Sequence, residues 1–153
     1  MRLSTFSDYC LRVLIYVGAK GDQVSTIGEI TDAYRISRGH LMKVVHRLGQ
    51  LGYLETVRGR SGGMRLAKHP SNIKLGVVIR ATEDDLALVA CFHSSTSGLC
   101  AIEPACVLKR ALHSALEAFL RTLDGYTLAD LLVPRNRLSQ LLNVTSGDLT
   151  SAR

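Results

Sequence analysis

A mainly α-helical fold with one small β-hairpin is predicted by three observations. Apolar residues recur at helical spacing along most of the chain. Two short strand candidates flank a single glycine-rich turn. A longer amphipathic stretch near the C-terminus carries a broader apolar face than any other segment. The length, 153 residues, suits one domain or one small domain with an extension. At 46% hydrophobic and 21% charged residues, a packed core is expected and global disorder is not.

Residues 4–19 are predicted as the first helix, because Phe6, Cys10, Val13, Leu14 and Val17 fall on one face. The stretch Gly18 to Gly21 ends it. Thr26-Ile27-Gly28-Glu29 has the capping-box pattern, so a short helix follows and buries Ile27, Ile30 and Tyr34. A tight turn at Arg35-Ile36 leads to Ser37, the expected N-cap of the next helix. That helix has Leu41, Val44, Val45, Leu48 and Leu51 on one face and Arg38, His40, Lys43 and Arg47 on the other; Gly52 stops it. Leu54–Val57 and Met64–Ala67 are the strands, joined by Arg58-Gly59-Arg60-Ser61-Gly62-Gly63.

Further on, His69-Pro70-Ser71 marks a turn and residues 73–82 a short helix, which runs into the acidic Glu83-Asp84-Asp85. Residues 93–98 read as a loop. Pro104 suits the first turn of a helix over 104–123, roughly 30 Å long. Leu108, Leu112, Ala115, Leu116, Phe119, Leu120 and Leu123 give it an apolar face too broad for so small a chain to cover, which predicts a homodimer. Residues 144–153 are small and polar, and disorder is expected there.

Helix, turn, helix and then a hairpin with a basic tip is the order of a winged helix-turn-helix. Charge supports that order. Residues 1–80 hold 13 Lys/Arg against 5 Asp/Glu, while residues 81–153 hold 6 against 8, so one half is suited to a polyanion and the other is not. Residues 35–65 alone carry seven Lys/Arg and one Asp/Glu, the electrostatic footprint that double-stranded DNA requires. The second helix of such a motif enters the major groove with its N-terminal residues near base edges, here Arg38, Gly39, His40, Met42 and Lys43. Arg58 and Arg60 at the hairpin tip are placed to reach the minor groove. The candidate DNA contacts are therefore Ser37, Arg38, His40 and Lys43 on the helix, and Arg58, Arg60 and Ser61 on the tip. The expected organisation is a DNA-binding domain over 1–80, a cysteine-bearing segment over 81–106, a dimerisation helix with a further C-terminal helix over 104–132, and a disordered tail over 144–153.

The cysteines lie in the other half, as Cys91-x8-Cys100-x5-Cys106, with only Cys10 outside. This is not the Cys-x2-Cys of zinc knuckles and thiol redox motifs, nor the tight run of bacterial ferredoxins. Three soft thiolates select an iron–sulfur cluster, zinc or copper(I). A fourth ligand is missing locally, and Asp8, Cys10, His93, His113, Glu83 or an exogenous group could supply it. Cys10 falls on the apolar face with Phe6 and Val13, which suits a buried structural thiol better than a ligand.

The opening Leu3-Ser4 through Tyr9, the segment Ile36-Ser37-Arg38-Gly39-His40-Leu41, the tip Val57 to Gly63 and the three cysteines together resemble the winged-helix iron–sulfur regulators. The likeness covers residues 1–132. The cysteine spacing is similar to that of the NsrR type, whose members repress transcription and sense nitric oxide. The IscR type has closer first and second cysteines and a histidine three residues after the third. Lys109 stands at that position here and cannot ligate as a cation. The resemblance implies a homodimer on operator DNA. It implies a [4Fe-4S] cluster, favoured over [2Fe-2S], held by Cys91, Cys100, Cys106 and Asp8 of the partner subunit. Nitric oxide is the implied signal, and nitrosylation or loss of the cluster is implied to release the DNA.

Three alternatives remain at this stage. One is a cluster-supply or redox regulator of the IscR type with a [2Fe-2S] cluster. A second is a DNA-binding module stapled by zinc, with no signal. An enzyme is disfavoured, because no Cys-x2-Cys, glycine-rich phosphate loop or acid/base pair is present. No apolar run of membrane-spanning length and no signal-peptide pattern occurs, so a cytoplasmic location with reduced thiols is expected.

Overall fold

The structure is a computed structural model and describes residues 2–144 except 94, 96, 97 and 99. Helix α1 (Thr5–Lys20) is its centre, with Cys10, Val13, Leu14 and Val17 fully buried. Ser4 caps it by accepting a hydrogen bond from the Ser7 amide at 3.1 Å. Helix α2 (Ile27–Tyr34) begins at the expected capping box: Thr26 Oγ1 accepts from the Glu29 amide at 3.2 Å, and Glu29 Oε2 accepts from the Thr26 amide at 2.7 Å. Arg35 closes α2 in the left-handed region, at φ 55. Helix α3 (Arg38–Gln50) follows three residues on. It buries Leu41, Val44 and Leu48 against α1 and α2 and leaves its opposite face open.

Strands β1 (Leu54–Val57) and β2 (Gly63–Leu66) form the antiparallel hairpin, with Leu54 opposite Leu66 and Val57 opposite Gly63. The second strand starts one residue earlier than its apolar pattern suggests. Ser25 and Met64 exchange both backbone hydrogen bonds at 2.8 Å, a one-residue third strand. Beside it Gly63 lies so close to the Ser25 carbonyl that a Cβ would clash with that oxygen. The bridge to Ser25 thus sets the start of β2.

Helix α4 (Leu75–Thr82) is two residues shorter than expected at its start. Ile73 and Lys74 stay extended because they bind the C-terminal part: Ile73 O accepts from the Leu128 amide at 2.8 Å, and Lys74 bridges Thr127. Helix α5 (Val107–Asp124) starts three residues later than expected. Pro104 lies instead in a single 3-10 turn over Glu103–Ala105, and Cys106 is the cap of α5. Helix α6 (Leu128–Leu131) has its own capping box from Thr127 and Asp130, and α7 (Arg135–Leu141) lies against α1. Sequence reasoning missed α7. The core runs from α1 through α2, α3, the hairpin and α4 to Leu128, Leu142 and Val144. Val144 is buried, which corrects the expectation of disorder at that residue; residues 145–153 of the expected tail lie outside the described residues. Among the described residues no helix is long and apolar enough to cross a membrane.

Candidate nucleic-acid interface and cysteine site

The outer face of α3 and the hairpin tip are both exposed and basic. Ser37, Arg38, His40, Lys43, Arg58, Arg60 and Ser61 are all exposed, as groups that meet a partner must be. Ser37 does two jobs: its hydroxyl caps α3 at the His40 amide and lies 2.9 Å from His40 Nδ1. The His40 ring in turn rests beside Tyr9 of α1, with centroids 6.0 Å apart. The first turn of the helix is thereby held from two sides before any ligand arrives. Gly62 closes the tip by donating to Gly59 O at 3.0 Å, and a Cβ on Gly62 would press on the Val57 carbonyl.

Two of the seven cations over 35–65 turn away from this surface. Arg47 donates to the Ala81 carbonyl at 3.0 Å and thereby ties α3 to the end of α4. Arg65 pairs with Glu55 across the hairpin. A count of charges along the chain gives no sign of either diversion. Met42, half exposed among the basic residues of α3, is the member of this face that charge alone passes over.

The cysteine arm begins where α1 and α4 meet. Ser7 Oγ and Thr82 Oγ1 are 2.8 Å apart and buried, and the Ser4 amide donates to Glu83 Oε1 at 2.8 Å. Cys91 lies in a 3-10 turn over Ala90–Phe92, and Phe92 packs edge-on against His113 of α5 with centroids 5.7 Å apart. Cys106 caps α5, its sulfur accepting from the Lys109 amide at 3.3 Å. Lys109 keeps its proton firmly: its pair with Glu103 raises the ammonium pKa, and the fields of Cys91 and Cys106 add to that. Lys109 is therefore a cation beside two of the three thiols, and not a ligand.

Cys91, Cys100 and Cys106 are free thiols, none paired in a disulfide. Among the described residues no three His, Cys, Asp or Glu side chains converge as a metal-binding group. The structure therefore places Cys106 at the head of α5 and Cys91 in a turn that packs on the same helix through Phe92, but it does not gather the whole expected ligand set among the described residues. The donor chemistry itself fits a cluster: three free thiols, one of them capping the N-terminus of a helix. Asp8 lies in the first turn of α1, not with the cysteines of its own chain, and pairs with Arg12 at 2.9 Å. The other candidate ligands have partners of their own: Glu83 with Ser4, His93 with Asp85 at 3.3 Å, and His113 with Glu117 at 3.5 Å. Cys10 is fully buried, and burial pushes its thiol pKa up to about 12 against a smaller pull from Arg47. It is a structural thiol.

A capped two-helix unit, a hairpin with a basic tip and an exposed cationic helix face define a winged helix-turn-helix DNA-binding protein. The family model "Rrf2: Iron-dependent Transcriptional regulator" matches residues 3–134. This chain belongs to the Rrf2 family. It is 51% identical over 148 residues to the HTH-type transcriptional regulator NsrR of Geobacillus kaustophilus, covering 96% of this chain and 100% of that one. To the regulator of the same name from Bacillus subtilis it is 48% identical over 145 residues, covering 94% and 99%. Among solved structures, the global cysteine regulator CymR of B. subtilis superposes with a TM-score of 0.70 at 27% identity, over 86% of this chain and 95% of that one. T. potens IscR superposes with a TM-score of 0.66 at 26% identity, over 86% of each. The chain is thus a DNA-binding transcriptional regulator and not an enzyme.

Proposed function

We propose that this regulator is a homodimeric repressor that binds operator DNA and releases it in response to nitric oxide. In this reading Cys91, Cys100, Cys106 and Asp8 of the partner subunit hold an iron–sulfur cluster, [4Fe-4S] in preference to [2Fe-2S]. The observation that carries it is the position of the thiols. Cys106 caps α5, whose apolar face is only partly covered in one chain, and the turn that bears Cys91 packs on the same helix through Phe92, so a cofactor there senses how two chains meet. The close likeness to the NsrR-named regulators supports nitric oxide as the signal. When bound, the cluster supplies iron open to a small diatomic ligand.

The chain's own groups do the rest. Arg12 holds the Asp8 carboxylate on the outer side of α1, where it can serve a second subunit. Lys109 offsets the negative charge gathered by the thiolates. The same helix that bears Asp8 touches the recognition helix through Tyr9 and His40, so a change of ligation at Asp8 bears on the DNA-reading face. A coupling of a few kcal/mol suffices, since each 1.4 kcal/mol is about tenfold in affinity.

The test is metal and sulfide analysis of protein purified without oxygen, followed by titration of its DNA complex with nitric oxide. About four iron and four sulfide per chain, with DNA released on titration, is the expected result. About two of each would favour the [2Fe-2S] sensor, and zinc without sulfide would sink the sensing mechanism. An Asp8→Ala variant with an unaltered cluster spectrum and lifetime would remove Asp8 from the ligand set.

A further inference from the structure

We propose that Met42 is a specificity-determining residue that reads the methyl group of a thymine in the major groove. The inference rests on the regulator reading of α3 and goes one step deeper, to a single base contact.

Met42 is 55% exposed, one of the few large apolar side chains of the DNA-binding half left in solvent. It lies one turn beyond Arg38 and one turn before His46, on the exposed side of α3 opposite Leu41, Val44 and Leu48. Arg38 and His46 flank it four residues either way; Val45, three residues on, is partly buried against the core, whereas Met42 stands clear of it in solvent. One turn earlier stands Gly39, where an added Cβ would meet nothing within 4 Å. The helix surface is therefore low at Gly39 and raised at Met42, a shape that lets the first turn approach base edges while a long, unbranched side chain reaches in behind it.

The chemistry of that side chain selects its target. Met has no hydrogen-bond donor and only a weak acceptor, so it gains nothing from the amino, keto and ring-nitrogen groups that mark the other bases. The thymine methyl is the one apolar group on the major-groove edge, and apolar side chains are its ordinary partners. Three flexible bonds and a polarizable sulfur let Met settle over it. Arg38, one turn away, supplies the fork that suits guanine.

The experiment starts from DNA selected by the dimer from a random-sequence pool. Each thymine of the selected site is replaced in turn by deoxyuridine, which removes the methyl and leaves pairing intact. Affinities are compared for the parent protein and Met42→Ala. One thymine per half-site is expected to show a loss of about fourfold in the parent, the worth of one buried methyl, and no loss in Met42→Ala. At every other position the two proteins should respond alike. Because the side chain is exposed, Met42→Ala should keep its thermal midpoint and its salt dependence of DNA binding. A methyl effect that persists in Met42→Ala, or none at any thymine, would overturn the assignment while leaving the regulator standing. A pool that yields no preferred sequence would overturn both.

Discussion

Cys10 is the residue whose chemistry is most changed by its surroundings. In the unfolded chain its thiol titrates near 9.0, whereas in the folded chain burial pushes it up to about 12. Between those values the folded state keeps a proton that the unfolded state has lost. Stability is therefore whole below about pH 9 and falls as the pH rises toward 12. Tyr34 acts in the same sense, since burial pushes its phenol up to about 12 from 10.0. Urea unfolding at pH 7.5 and at pH 10 should show a lower midpoint at the higher pH, and Cys10→Ala should lose part of that difference. Equal midpoints would refute the linkage. At this scale the sequence was a good guide wherever periodicity carried the information: the apolar spacing of Phe6, Cys10 and Val13 placed Cys10 inside. It was a poor guide for Arg47 and Arg65, because a cation's partner lies far along the chain or across a strand, and neither distance is visible in a charge count.

Helix α5 is the element with the clearest unmet need. None of its 18 residues is buried, although its apolar face is broad, and it is held to its own domain by α4 and by the paired Arg80–Asp124 contacts at 2.7 Å. In the proposed dimer each leucine covered there contributes about 1.5–3 kcal/mol. Leu116→Asp should therefore yield a folded monomer by light scattering, with an unchanged helical signal. A dimer of ordinary mass would remove α5 from the interface. The elements also show where local signals stop. The capping box at Thr26 and Glu29 and the cap at Ser37 were legible because the groups that form them are three residues apart. The true start of α5 was not. Pro104 fits a helix start by its fixed φ, yet Cys106, extended at ψ 105 and accepting from Lys109, is the cap that forms. The shortening of α4 has the same cause at longer range, since Ile73 and Lys74 answer to Leu128 and Thr127.

Across the whole molecule, three consecutive residues fasten the start of the cysteine-bearing half to the basic one, in addition to the ties of Ile73 to Leu128, Lys74 to Thr127 and Arg80 to Asp124. Ala81 accepts from Arg47 of α3, Thr82 bonds Ser7 of α1, and Glu83 accepts from the Ser4 amide. The uneven placement of charge and cysteine was legible in the sequence, and so was the winged-helix class of the protein. How the proposed ligands come together was not legible, because a ligand donated by a second subunit would leave no spacing signal within one chain. The Ser25–Met64 bridge has a consequence for watching such a molecule at work. Two amides that exchange reciprocal hydrogen bonds at 2.8 Å, with Ser25 and Met64 both buried, leave solvent deuterium little access unless the hairpin lifts from the helices. They should be among the slowest amides of the hairpin to exchange. Their rates then act as an internal clock for wing detachment. If nitric oxide loosens DNA by turning intact winged domains relative to one another, the clock should run unchanged through the transition. If it acts by prising the wing away, these two amides should speed up together.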